Sequence, residues 1–248
     1  MFRPLAATLS AIALAVPAHA VDLTDMNSAE REAFGAEVRA YLLENPEVLM
    51  EAIGVLEQRQ AEAQAANDGT LIAANANDLF NDTMSWVGGN SEGDVTLVEF
   101  VDYRCTYCRK AHEDVAALIE TDRNIRFIVK EFPILGDQSV ISSRFAIATL
   151  QVAGDAAYKQ VSDALIAFRG AVTSESLKRL AEDLDLDAAA IMARMDAPEV
   201  NNVIAANRAL AQRLQITGTP TFVLEDEMLR GYVPLEAMRQ LVAELRAD

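Results

Sequence analysis

The stretch Thr96-Leu-Val-Glu-Phe-Val-Asp-Tyr-Arg-Cys105-Thr-Tyr-Cys108-Arg-Lys-Ala-His-Glu-Asp-Val-Ala-Ala-Leu-Ile119 holds the only two cysteines of the chain, spaced Cys-x-x-Cys. An apolar run, Thr96 to Val101, feeds into the pair and predicts a strand. Beyond it Ala111, Val115, Leu118 and Ile119 recur at helical spacing. Strand, Cys-x-x-Cys, helix is the context in which the motif reads as a thiol-disulfide redox site. Two cysteines three residues apart close almost no loop, so their bond restrains the unfolded chain very little. The pair is poorly placed as a staple and well placed as a redox centre.

The N-terminus indicates the compartment. Arg3 is a short basic segment, and Leu5 to Val16 is uncharged and mostly apolar. That run is too short to span a bilayer comfortably. Pro17-Ala-His-Ala20 then puts small residues where a signal peptidase reads. Residues 1–20 are therefore expected to be a signal peptide cleaved after Ala20, with an uncleaved membrane anchor as the alternative. The expectation is a periplasmic protein, in a compartment where disulfides persist.

The formal charge is −17, and Arg3 is the only charge before Val21. Such acidity strongly disfavours nucleic acid and anionic lipid as partners. A hydrophobic content of 51% with 6% aromatic residues indicates a folded, helix-rich chain.

Working outward, residues 21–88 read as an N-terminal helical segment. Asn27-x-x-Glu30 is a capping-box pattern, and Phe34, Val38, Tyr41 and Leu42 follow at helical spacing. Asn45-Pro46 suits the cap and first position of a second helix, with Val48, Leu49, Ala52, Ile53 and Leu56 on one face. That face must bury itself on its own domain or on copies of itself, the latter making a homo-oligomer through residues 27–66. Asn67-Asp-Gly69 is read as a helix break, and Trp86-Val-Gly-Gly as a turn-rich entry to the next unit, residues 89–248.

In that unit a second strand is expected over Arg126–Glu131, and helices fill about 137–214, with Thr173 and Asp187 as N-caps and Gly154 and Gly170 as stops. Strands return at Thr221–Leu224 and Met228–Tyr232, and a last helix starts at Pro234. The order is βαβ, a helical insertion, then ββα. That is an α/β chain with a thioredoxin fold, preceded by an N-terminal helical segment.

Cys105 should sit at the start of its helix, where free N–H groups and the helix dipole stabilise a thiolate. Arg104, Arg109 and Lys110 add positive charge nearby. Cys105 is the expected nucleophile and Cys108 the resolving thiol. Thr217-Gly-Thr-Pro220 precedes a strand, so Pro220 belongs at the strand's start, as a cis proline facing the cysteines or an ordinary trans proline in a turn. Glu99 sits inside an apolar strand, either as a buried acid serving Cys108 or as a solvent-facing residue. Lys130 on the next strand is a candidate partner for it. His112 with the two thiols makes only three ligands where structural zinc takes four, so it is read as a surface histidine. Tyr103 and Tyr107 form a client rim or pack internally. No cofactor and no metal is assigned to the site.

Gly89-Asn-Ser-Glu-Gly-Asp-Val-Thr-Leu-Val-Glu-Phe-Val-Asp-Tyr-Arg-Cys105-Thr-Tyr-Cys108, Lys130-Glu-Phe-Pro-Ile-Leu-Gly136 and Gly218-Thr-Pro220-Thr-Phe together resemble the DsbA family of thiol:disulfide interchange proteins. The resemblance covers roughly residues 86–248 and includes the helical insertion. It implies that Cys105 and Cys108 are the redox pair, Pro220 the cis proline with Thr219 before it, and Glu99 the buried acid. Tyr41-Leu-Leu-Glu-Asn-Pro-Glu-Val-Leu-Met50 is similar to the N-terminal segment of suppressor-of-copper-sensitivity C proteins, which implies oligomerisation and isomerase activity. The dipeptide Thr106-Tyr107 and Thr219 before the proline depart from the dedicated oxidase and resemble disulfide isomerases. The expected function is a periplasmic thiol:disulfide oxidoreductase that oxidises, reduces or isomerises disulfides of exported client proteins and exchanges electrons with a membrane redox partner. The alternative is a non-enzymatic, thiolate-based copper-binding protein, since soft thiolates suit Cu(I).

Overall fold

A computed structural model describes residues 23–247; the signal peptide expected over residues 1–20 lies outside the described residues. The chain divides into two units, the first ending at Gln60 and the second beginning at Ala61. In the first, helix α1 (Ser28–Glu44) starts as its sequence predicts. The Asn27 side chain accepts the N–H groups of Ala29 and Glu30 at 3.0 Å, and Glu30 accepts the N–H of Asn27 at 2.9 Å. Asn45, expected to cap the second helix, instead closes the first: its backbone N–H and its Nδ2 donate to the Tyr41 carbonyl at 2.8 and 2.9 Å. Helix α2 then runs from Glu47 to Ala74. No residue of α1 is buried, and Phe34, Tyr41, Leu49, Ile53 and Leu56 are exposed.

Helix α2 continues through Asn67-Asp68-Gly69, where a break was expected. Asp68 is buried; the Arg230 guanidinium donates to both its oxygens and Gln64 donates to one at 2.9 Å. A long-range ion pair at mid-helix outweighs the penalty for one helical glycine, about 1 kcal/mol.

The second unit adds α3 (Ala76–Phe80) and a five-stranded sheet of β1 (Trp86–Gly89), β2 (Val95–Val101), β3 (Ile125–Glu131), β4 (Thr221–Leu224) and β5 (Glu227–Arg230), in the order β1-β3-β2-β4-β5. Helix α4 (Thr106–Asp122) connects the parallel pair β2 and β3; α9 (Leu235–Leu245) follows the antiparallel pair β4 and β5. This is the βαβ plus ββα thioredoxin fold. Between its halves lie α5 (Asp137–Ala167), α6 (Ser174–Asp183), α7 (Ala188–Arg194) and α8 (Pro198–Arg213). Thr173 and Asp187 cap α6 and α7 by accepting the N–H groups of Ser176 at 3.2 Å and Ala190 at 3.0 Å. Gly154, at φ 82°, breaks the course of α5.

Strand β1 lies in the stretch whose sequence reads as a turn-rich entry, and glycine is depleted in strands. It forms as an antiparallel edge on β3 around Trp86, whose indole stacks on Tyr158 at 5.4 Å and donates to the Asp155 carbonyl at 3.1 Å. Gly88 is required there: a Cβ would lie 2.0 Å from the Trp86 ring.

Strand alternation divides the core. Leu97, Val101, Phe127 and Val129 join α4 on one face of the sheet, while Val98, Phe100 and Ile128 join Ile72, Leu79 and Leu210 on the other. Glu99 is registered against Val129, and Lys130 against Phe100, so the two point to opposite faces. The candidate Glu99–Lys130 pair is therefore not formed. Lys130, fully buried, donates to the Asp78 carbonyl at 2.7 Å and pairs with Asp82, fastening the segment before β1 to the sheet.

Candidate active site

Cys105 is the N-cap of α4, in extended backbone at φ −73° and ψ 123°. Its Sγ accepts the N–H of Cys108 at 3.5 Å and lies 3.1 Å from the Thr219 carbonyl. It is 7% exposed, whereas Cys108 is fully buried, and both are free thiols. The Cys108 thiol beside it pulls the Cys105 thiol down to about 5, aided by the Thr219 side chain and the N–H groups of Cys108 and Tyr107, against burial. Burial pushes the Cys108 thiol far up, and the neighbouring Cys105 and Glu99 add to this. One sulfur is thus a ready thiolate and the other a proton holder.

The nearby cations have other duties. Arg109 donates to the carbonyls of Tyr103 at 3.2 Å and Phe168 at 3.0 Å, and Arg104 to that of Gly170 at 3.2 Å. Lys110 stands 4.0 Å over the Tyr232 ring. Arg104 and Arg109 tie the cysteine loop to the helical insertion, and the low Cys105 pKa rests chiefly on hydrogen bonds.

Strand pairing brings the second landmark to the first. β4 runs antiparallel to β2, with Phe100 opposite Thr221. The residues that precede β4 therefore meet the loop that follows β2. The Thr219-Pro220 peptide bond is cis, and Pro220 is buried. Tyr107 stands 60% exposed beside Cys108 in the helix's first turn.

Glu99 is a buried acid and not a solvent-facing one: it is 5% exposed. Among the described residues none hydrogen-bonds to its carboxyl, which is pushed up to about 8 by burial and then by the charges of Glu131 and Cys105. Glu131 is the residue sequence reasoning missed. It sits opposite Val101, on the face that carries Glu99. The hydroxyls of Tyr103 and Tyr158 both donate to its Oε1 at 2.7 Å, and burial pushes its carboxyl up to about 7. Tyr103 is accordingly internal rather than a client rim. The available signal was Lys130-Glu131, adjacent charges directly after the apolar run Phe127–Val129, where opposite faces oblige both to be housed.

His112 departs from the surface position expected of it. It is half-buried, with Nε2 3.1 Å from Asp163 Oδ1. It lines a cleft of about 270 Å3 whose walls include Trp86, Val115, Ile119 and Phe127 and which reaches Glu99. A narrower extension shares Glu99 and His112 and reaches Cys108. Among the described residues, no group of three or more His, Cys, Asp or Glu side chains is arranged to hold a metal ion.

This arrangement can perform sulfur exchange: an activated outer thiolate, a protonated inner thiol, and a buried acid on the inner side. The family of DSBA-like thioredoxin domains matches residues 96–243, and that of the copper resistance protein ScsC N-terminal domain matches residues 30–63. A thioredoxin-like oxidoreductase from Silicibacter pomeroyi is 40% identical, covering 70% of this chain and 99% of its own, with a TM-score of 0.66. The thiol-disulfide exchange protein alpha-DsbA2 from Wolbachia pipientis is 25% identical, covering 74% of this chain and 98% of its own, with a TM-score of 0.69. Na(+)/H(+) antiporter NhaA 3 from Salinispora tropica is 29% identical over 63% of this chain and 24% of its own length. The chain thus spans about a quarter of the length of the curated relatives it matches. With the redox motif, the insertion and most of the sheet inside the matched span, the chain belongs to the family of DSBA-like thioredoxin domains.

Proposed function

We propose that the protein is an exported thiol:disulfide oxidoreductase acting on cysteines of exported client proteins. The observation that carries this reading is the asymmetry of the pair: Cys105 is held down to about 5 at the helix start, while Cys108 is buried and pushed up behind it. The Cys105 thiolate attacks a client disulfide, forming Cys105–S–S–client and releasing the other client sulfur as a thiolate. Once Glu99 has released its own proton, Cys108 passes its proton to the carboxylate and attacks Cys105. The Cys105–Cys108 bond forms and the client sulfur leaves. Run in reverse, the same steps give a disulfide to a client dithiol. The loop at Thr219-Pro220 offers backbone groups to an extended client chain.

The residue 1–20 pattern supports export to the periplasm, and a membrane redox partner resets the pair. The exposed apolar residues of α1 and α2 support self-association through residues 27–66. Cys105→Ser should abolish reduction of insulin and refolding of scrambled ribonuclease; undiminished turnover would sink the reading. Cys108→Ser should accumulate mixed disulfides through Cys105. The free-thiol fraction of Cys105 trapped in cells reports the direction: mostly reduced gives an isomerase or reductase, mostly oxidised an oxidase.

A further inference from the structure

During resolution the client is bonded to Cys105 and covers the side of the pair that faces Thr219. The proton that Cys108 gives up must leave by the other side. Glu99 is the inner acceptor there, yet it is 5% exposed and among the described residues has no hydrogen-bond partner to pass the proton to. What adjoins it is the cleft between α4 and β1. The inner part touches Cys108, Glu99, His112, Lys159 and Asp163, and the outer part opens past Glu99, His112 and Lys159 along Ala116 and Glu120. His112 and Lys159 are the basic side chains that line both parts.

Lys159 is committed, with Nζ 2.6 and 2.5 Å from the two oxygens of Asp163. His112 Nε2 lies 3.1 Å from the same carboxylate. With Nε2–H given to Asp163, Nδ1 is left free to take up a proton. Resting on the oxidoreductase reading above, we infer that His112, oriented by Asp163, is the outer proton carrier that relays a proton from Glu99 to solvent through the cleft behind α4. Glu99, pushed up to about 8, carries its own proton at neutral pH; it gives that proton through water in the cleft to the imidazole and on to bulk solvent, and the vacated carboxylate then takes the proton of Cys108 Sγ. No electrons move on this path.

The groups that set the state of His112 are Asp163 and Lys159 on α5, Glu113 on its own helix and Glu99 on β2. Burial holds the imidazole below its ordinary value, against the pull of Asp163, so it is neutral and able to accept a proton at neutral pH.

The test uses the full chain, reduced, with 5,5′-dithiobis(2-nitrobenzoate) in stopped flow. The first released aryl thiolate reports attack by Cys105, and the second reports resolution by Cys108. His112→Ala should slow the second phase at least about tenfold, the lower end of what a positioned proton carrier supplies. Imidazole at millimolar concentration should restore it, since the cleft is large enough to admit it. The pH dependence that the imidazole adds to the second phase below neutral pH should vanish in the variant, leaving the limb set by Glu99 near 8. A second phase equal to wild type from pH 5 to 9 overturns the inference. So does a slowed phase that imidazole leaves unchanged, because that marks lost packing. Absence of the first phase in the wild-type protein fails the oxidoreductase reading instead.

Discussion

The Asp102 carboxylate accepts the backbone N–H of Ile134 at 2.8 Å, across 32 residues of sequence. The same oxygen accepts the N–H of Leu135 at 3.0 Å, and the other oxygen that of Arg104 at 2.8 Å. Asp102 is fully buried. One side chain therefore fastens the loop entering α4 to the loop leaving β3. Asp102→Ala leaves three N–H groups without their acceptor. It should cost about 3 kcal/mol in urea unfolding, the scale of hydrogen bonds to a charged group. Asp102→Asn, which keeps one acceptor oxygen, should cost less. Equal stability of Asp102→Ala and wild type would show that the loops hold without this tie.

Cys105 should make the reduced protein's stability depend on pH. Its thiol is lowered from 9.0 to about 5 on folding. The stabilisation is complete above pH 9 and lost as pH falls through 5. The stability difference between reduced wild type and Cys105→Ser should therefore grow from pH 5 to pH 9, by an amount on the order of a few kcal/mol. Thiolate absorbance should titrate near pH 5. A flat difference, or a midpoint near 9, would contradict the N-cap geometry.

Glu99 acts with the opposite sign. Folding raises its carboxyl from 4.5 to about 8, so its contribution is complete below pH 4.5 and is lost as pH rises through 8. Glu99→Gln should be more stable than wild type at pH 8 by on the order of a few kcal/mol and close to it at pH 4. The same substitution should slow Cys108 resolution. Thermal unfolding at the two pH values separates this from a uniform packing change.

The fold was legible in sequence where local pattern and tertiary role agree. Val95–Val101 is apolar throughout and becomes a central strand; Thr173 and Asp187 precede helices and cap them. It was illegible where a distant partner decides. Asp68 reads as a turn residue until Arg230 claims it, and Gly88 reads as a loop until the Trp86 ring needs the space. Within the site, Cys105, Cys108, Thr219, Pro220 and Glu99 were named from motif and context, and the fold brings them to one end of the sheet. Glu131 and His112 were not linked to it. Their placement follows from strand register and from the side of α4 that a cleft happens to open on, neither of which a single sequence displays.

Tyr158 should matter through Glu131. Its hydroxyl is one of two tyrosine donors on that buried carboxyl, which burial pushes up to about 7. Tyr158→Phe removes a donor that favours the charged form. It should cost about 1–3 kcal/mol, more above pH 7 than below it, where the carboxyl is neutral. Differential scanning calorimetry at pH 5 and pH 8 checks this; a pH-independent loss would assign the cost to packing on Trp86, whose ring stacks on Tyr158 at 5.4 Å.

Phe34, Val38, Tyr41, Leu49, Ile53 and Leu56 are each at least 40% exposed. An apolar set of this size marks an association surface more often than a solvated one. The double variant Ile53→Glu with Leu56→Glu places two charges on that surface. It should give a monomer by light scattering while leaving helix content and the Cys105 thiolate absorbance unchanged. Wild-type protein should give a larger mass at the same concentration. A monomeric wild type at tens of micromolar would refute self-association through residues 27–66, and the isomerase direction would lose the multi-copy enclosure that favours it.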